Sequence, residues 1–182
     1  VNLESVTFGK KLTTIETDAF WCCKKLKNIS SLKHVKTIGD MAFSGCEELE
    51  DIGSLDSLKK IGMSAFSNTR WLENEQKKSP MVVVNGMLLD GKACVGEVVV
   101  PRSVVEIIDY AFSFNQKVTC VTIPNTVKSI GSSCFSGCYY LRYVRMEDSV
   151  ESIGPYLFED CYRMRNVRLS AGLKEIPDGT WF

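Results

Sequence analysis

Eight cysteines and one histidine are the residues of this 182-residue chain most suited to metal, redox or nucleophilic chemistry. Cys23, Cys46, Cys138 and Cys161 each stand eight residues after an isoleucine that opens a recurring motif. Cys22-Cys23 and Cys134-x-x-x-Cys138 lack the paired C-x-x-C spacing of a zinc site, so neither a metal nor a cofactor is expected. A cysteine held in a repeating column reads as a small buried hydrophobe. Equivalent residues of neighbouring turns lie about 5 Å apart, within Cα reach of a disulfide for Cys23–Cys46 or Cys138–Cys161, but side chains projecting in parallel oppose the dihedral such a bond needs. Free thiols are expected. His34 lies in SLKHVKTIG between two apolar anchors and reads as a solvent-edge residue, not a base. The acidic pairs Glu47-Glu48, Glu147-Asp148 and Glu159-Asp160 fall at turns, whereas a glycosidase pair needs a cleft and a raised pKa. No G-x-S-x-G, H-E-x-x-H, P-loop or G-x-G-x-x-G pattern occurs. The residue types therefore point to no catalytic group and to a chain that is not an enzyme.

The element that positions these residues is a repeat of 23 residues. It reads IETDAFWCCKKL at Ile15, IGDMAFSGCEEL at Ile38 and IGMSAFSNTRWL at Ile61, then IIDYAFSFNQKV at Ile107, IGSSCFSGCYYL at Ile130 and IGPYLFEDCYRM at Ile153, with a half-copy IPDGTWF at Ile176. The interval from Ile61 to Ile107 is two periods and holds one divergent coil, in phase at Val84. A fixed period of this length marks a solenoid, whose units bury their apolar sides only by stacking on one another. Phe20, Phe43, Phe66, Phe112, Phe135, Phe158 and Trp181 form one column, an aromatic spine, usually preceded by a small residue such as Ala19, Ala42, Ala65 or Ala111. A second column holds Leu26, Leu49, Leu72, Val118, Leu141 and Met164. Alternation such as Val121-Thr122-Ile123 and Val167-Arg168-Leu169 predicts a short strand buried on one face. Each coil is expected to add one strand to a parallel sheet and to return through turns around the spine.

The string I-G-x-x-A-F-x-x-C-x-x-L-x-x-V, with Ile123-Pro124-Asn125 beginning the return, resembles the BspA-like leucine-rich repeat over essentially the whole chain. Departures are Thr69 and Asn115 at the cysteine column, Cys134 and Leu157 at the alanine column, and Ser31 and Ser54 on the strand. The resemblance implies a mainly-β, right-handed solenoid with a parallel β-sheet on one side and little long helix, to which the residues of the divergent coil add one β-hairpin insertion. It also implies a cell-surface or secreted protein used in adhesion or host-macromolecule binding. The chain reads as one solenoid over 1–182 of about eight coils, divergent over about 73–101, and as a piece of a longer protein because both ends fall in mid-coil without a polar cap.

Hydrophobic residues make up 45% of the chain and charged residues 24%, enough for a continuous core. The net charge of +0 gives no bulk attraction to nucleic acid or to a membrane surface. MVVV (81–84) and VVV (98–100) are too short to span a bilayer. In the divergent coil the inward positions hold Glu75 and Lys77, and the charged stretch ENEQKKSP (73–80) reads as a loop. Asn85-Gly86 between two apolar runs predicts a hairpin turn with positive φ at both residues. That hairpin keeps stacking contact while replacing the phenylalanine turn, and its tip is a second candidate for interaction.

The outward residues of the strands carry the functional reading. They change from Ser5 and Thr7, Asn28 and Ser30, Asp51 and Gly53 to Tyr143 and Arg145, then Asn166 and Arg168, with Arg142 and Arg165 just before the strand. Tyrosine and arginine are enriched at interface hot spots. Stacked arginines repel, while Lys27 beside Glu50 should attract; the acidic Glu147, Asp148, Glu159 and Asp160 are expected on other turns. The candidate binding face is therefore Arg142, Tyr143, Arg145, Arg165, Asn166 and Arg168, suited to an acidic protein segment or a sulfated glycan. A solvated face whose arginine stems cover apolar surface is the competing reading. A structural spacer and a carbohydrate-binding accessory module remain as alternatives, the latter favoured by Tyr139, Tyr140 and Tyr143.

Overall fold

Among the described residues short parallel strands pair into four ladders, because each coil offers β-branched residues at two places in its period. The computed structural model describes residues 2–181 and divides into two units, Val1–Ser79 and Pro80–Phe182. The first unit carries β1 (Ser5–Val6), β2 (Thr14–Ile15), β3 (Asn28–Ile29), β4 (Thr37–Ile38), β5 (Lys60–Ile61) and helix α1 (Arg70–Lys78). Strands β1 and β3 pair in parallel, and Asn28 bridges on to Asp51. Strands β2, β4 and β5 form the second ladder, which sets Ile15, Ile38 and Ile61 side by side.

The second unit carries β6 (Val82–Val84), β7 (Met87–Asp90), β8 (Gly96–Val99), β9 (Glu106–Ile107), β10 (Val118–Ile123), β11 (Ser129–Ile130), β12 (Tyr143–Met146), β13 (Ser152–Ile153) and β14 (Asn166–Arg168). One sheet has the order β14-β12-β10-β8, and the other β13-β11-β9-β7-β6. The protein is thus a mainly-β solenoid of parallel strands, with one helix among the described residues. The period predicts one strand per coil, and the structure shows two, since the leading isoleucine and the residue before it pair across coils as well.

Within each unit the rings of the aromatic spine stack on one another. Rings stack at 5.2 Å for Phe20–Phe43 and 5.4 Å for Phe43–Phe66, and Trp71 tilts against Phe66 at 4.7 Å. In the second unit the spacings are 5.2 Å for Phe112–Phe135, 5.7 Å for Phe135–Phe158 and 5.1 Å for Phe158–Trp181. Offset stacking at this separation adds to the free energy of burying the rings. Five spine phenylalanines, Phe43, Phe66, Phe112, Phe135 and Phe158, are buried. Phe20 is half-buried, and Trp181, expected in the core, is 46% exposed.

The divergent coil departs from its sequence reading in two respects. Residues 73–78 are not loop; they belong to the nine-residue helix α1. The Thr69 side chain caps it by accepting from the Leu72 N–H, and Ser79 N–H closes it by donating to the Glu75 carbonyl. Glu73 in the first turn and Lys77 and Lys78 in the last complement the helix dipole. These end effects, together with the Lys78–Glu75 pair at 2.7 Å, favour helix in a charged stretch. The repeat phase is also taken up by Leu88 and not by Val84. Leu88 is buried and pairs with Ile107, while Val84 pairs with Met87 across the hairpin bend and is half-buried. The hairpin returns the chain on itself, so its second strand enters the ladder. Gly91 then stands in the spine's place: its N–H donates to Ala111 O, as Phe20 N–H does to Ala42 O. A Cβ there would lie 2.3 Å from the Phe112 ring.

Close stacking leaves two further marks. At Gly131, just past a leading isoleucine, a Cβ would stand 2.3 Å from the Asp109 backbone nitrogen. Three residues past the isoleucine the backbone is left-handed in every full coil, at Asp18, Met41, Ser64, Tyr110, Ser133 and Tyr156 (φ 51 to 59°). A second left-handed site follows the spine residue, at Cys22, Gly45, Asn68, Phe114, Gly137 and Asp160.

Replacing Phe43 with alanine should cost roughly 3–5 kcal/mol in urea unfolding, as for a large buried ring. Gly131→Ala should cost on the order of 1–3 kcal/mol, because backbone and not a flexible side chain blocks the new methyl. A loss below about 0.5 kcal/mol in either variant would show that the coils do not stack this closely.

Candidate functional site

Register alone brings the predicted face together. On β10, β12 and β14, Cys120, Tyr143 and Asn166 lie side by side, as do Thr122, Arg145 and Arg168. Alternation keeps these residues outward while Val121, Val144 and Met146 are buried beneath. Tyr143 is 45% exposed, and Arg142, Arg145, Arg165, Asn166 and Arg168 are exposed. The register sets Tyr143, Arg145, Asn166 and Arg168 side by side, and Arg142 and Arg165 are exposed just before the strands.

Its electrostatics differ from the repulsive stack expected from sequence. Arg145 Nε lies 3.0 Å from Glu147 Oε1, and Arg168 reaches Glu147 at 3.4 Å and Asp148 at 3.1 Å. Arg168 also donates to the Met146 carbonyl at 3.0 Å. The strand ends just before Glu147, and the chain's turn brings both carboxylates back beside the arginines instead of onto another face. Arg142 and Arg165 make no ion pair among the described residues. In the first unit the expected Lys27–Glu50 attraction is replaced by Lys27–Glu48 at 3.4 Å, with Glu50 facing Arg70 at 3.9 Å.

The hairpin has the predicted turn, with φ 48° at Asn85 and 80° at Gly86. Its tip does not protrude as a free loop. The Gly86 carbonyl accepts from the Val105 and Glu106 N–H groups at 2.7 and 3.1 Å, fastening the bend to the following coil.

A second cluster lies on the turn after the cysteine column. Tyr139 meets Tyr140 and Tyr162 edge to face at 5.0 and 5.7 Å, and the Arg163 guanidinium sits 4.7 Å from the Tyr140 centroid and 5.3 Å from Tyr139. Tyr162 donates from its hydroxyl to Asp160, which raises the phenol pKa above its usual value. Sequence reasoning picked out Tyr139 and Tyr140 but passed over Tyr162 and Arg163. Comparing the two residues after the cysteine column across coils would have found them: Lys24-Lys25, Glu47-Glu48 and Gln116-Lys117 give way to Tyr139-Tyr140 and Tyr162-Arg163.

Six copies of the BspA type leucine rich repeat region match the chain over residues 1–84 and 90–182. The chain belongs to the BspA-type leucine-rich repeat family. No curated protein matches it. A leucine-rich repeat protein of T. pallidum shares the fold, with 24% identity and a TM-score of 0.50 over 89% of this chain and 78% of its own. A leucine rich cell surface protein of Faecalibacterium prausnitzii is 24% identical over 98% of this chain (TM-score 0.46). The chain spans 64% of that protein's length. The pneumococcal vaccine antigen PcpA is 14% identical over 97% of this chain and 64% of its own, with a TM-score of 0.43.

In this BspA-type chain the cysteine column serves the backbone. All eight cysteines are free. The Sγ of Cys46, Cys138 and Cys161 donates to the carbonyl of the spine residue in the previous coil, Phe20, Phe112 and Phe135, at 3.0 to 3.1 Å. Asn115 does the same work where cysteine is missing, donating to Gly91 O and Cys94 O while accepting from Lys117 and Val118 N–H. Thr69 donates to Phe66 O. The column thus selects a small donor. Burial pushes the thiols of Cys46, Cys138 and Cys161 up to about 12. Among the described residues no group of three or more His, Cys, Asp or Glu is placed to hold a metal ion, and no helix is long and apolar enough to cross a membrane. His34 is exposed.

Because the folded thiols titrate above the unfolded ones, the native state is favoured fully below the unfolded cysteine pKa of about 8.5. That contribution is lost as pH rises through the folded value of about 12. Unfolding free energy measured across this window should fall, and Cys138→Ala should flatten the fall. A thiol reagent at neutral pH should label these three only on unfolding; rapid labelling of the native chain would contradict the buried donor role.

Proposed function

We propose that this chain is a non-enzymatic binding segment of a cell-surface protein, and that the outward face of β10, β12 and β14 docks another protein. The observation that carries the reading is the row Tyr143–Asn166 beside Arg145–Arg168, held in register on adjacent strands with Tyr143 45% exposed. A tyrosine with no burial of its own to gain, among planar guanidiniums, is the composition of an interface anchor. Glu147 and Asp148 hold the Arg145 and Arg168 heads in place before any partner arrives, which reduces the rotamer entropy lost on docking. The unpaired Arg142 and Arg165 supply the net positive charge that would speed encounter with an acidic segment. The cell-surface location follows the family and the description of the Faecalibacterium prausnitzii protein. Adhesion to a host macromolecule is the biological role this arrangement fits best.

Charge reversal at Arg145 or Arg168 would set new carboxylates against Glu147 and Asp148, so alanine is the cleaner probe. The chain should capture a partner from a panel of purified extracellular matrix proteins. Tyr143→Ala combined with Arg145→Ala and Arg168→Ala should weaken that partner by at least about 2 kcal/mol, roughly thirtyfold, without lowering the melting temperature. Undiminished affinity of the triple variant would remove the sheet face from consideration, and capture of no panel protein would favour a spacer.

A further inference from the structure

The tyrosine and arginine cluster on the other turn is independent of the sheet face and asks for its own explanation. Tyr162 is 72% exposed, Tyr139 38% and Tyr140 40%. Phe114, 68% exposed, adjoins them: its ring lies 2.5 Å from where a Cβ on Gly137 would stand, and Tyr139 N–H donates to Gly137 O. Phe114 holds a left-handed backbone (φ 58°) at a position that is Gly45 and Gly137 in other coils. The repeat supplies the control. Coils that carry Lys24-Lys25 or Glu47-Glu48 at the Tyr139-Tyr140 place stack equally well, so the aromatic rings are not needed to build the turn.

We propose that Tyr139, Tyr140, Tyr162 and Arg163 form a platform for an uncharged, extended polysaccharide. Exposed rings edged by hydrogen-bonding groups match a sugar, which presents an apolar C–H face and a rim of hydroxyls. The Arg163 guanidinium, fixed over two rings, and the Asp160 carboxylate beside Tyr162 supply a donor and an acceptor for those hydroxyls. Asp160, held at Tyr162, and Glu159 place carboxylates in the same cluster as Arg163.

The test is a calorimetric titration of the full chain with cellohexaose and xylohexaose, beside chondroitin sulfate as a polyanion. The chain should bind at least one neutral hexaose. Tyr162→Ala should weaken it about tenfold, the loss of one stacked ring, while Tyr162→Phe keeps most of the affinity. Arg163→Ala should weaken it as well, and the alanine variant of Arg145 and Arg168 should bind like the parent, which separates this site from the sheet face. Three results would each overturn the proposal: no binding of either hexaose, binding unchanged in both Tyr162→Ala and Arg163→Ala, or tighter binding of chondroitin sulfate than of the hexaoses.

Discussion

Hydrogen bonds running from each coil to the next are the constraint on which the rest depends. They fix the distance between coils at about the spacing of paired strands. Everything else in the structure answers to that distance. The spine rings can stack because 5.2 to 5.7 Å suits offset aromatic packing. Gly131 is required because a methyl there would meet the previous coil's backbone. Carbonyls on the inner side of the turn accept one N–H from within the turn, and the thiol or amide column of the next coil adds a second donor. The same register carries outward residues into rows, which is how side chains from successive coils become one surface.

Much of this could be read from the sequence because a solenoid converts period into space. The Ile, Phe, Cys and Leu columns and the outward rows of β10, β12 and β14 needed no long-range contact to be inferred; residues 23 apart had to be neighbours. The hairpin was legible because Asn85-Gly86 fits few other turns. Where the period breaks, that inference has nothing to stand on. Helix α1 depends on capping by Thr69 and on charges near its ends, weak local effects hidden in a stretch whose composition suits a loop. The shift of phase from Val84 to Leu88 depends on how far the hairpin returns, which the spacing of leading isoleucines does not record.

The candidate sites show the same division. Membership of the face was legible, but its charge balance was not. Whether Arg145 and Arg168 repel or are neutralised turns on where the chain goes after Met146, and the turn returns Glu147 and Asp148 to them. Tyr162 and Arg163 were overlooked because each looks ordinary within its own coil. Only their contact with Tyr139 and Tyr140 of the coil before makes a cluster. In a repeat protein a site is a property of adjacent coils, while a motif search works along one.

The left-handed residues after each leading isoleucine have a consequence for how the chain folds. Such a backbone costs about 1–2 kcal/mol for a residue bearing a side chain, and Asp18, Met41, Ser64, Tyr110, Ser133 and Tyr156 all adopt it. An isolated coil would meet that cost with no neighbour to stack upon. Folding within each unit should therefore begin with a rare event that assembles at least two coils together. It then spreads quickly from the nucleus, since each arriving coil is templated by the last. Loss of structure should run the same way in reverse, fraying from the outermost coils inward and leaving the interior thiols and rings sealed until late.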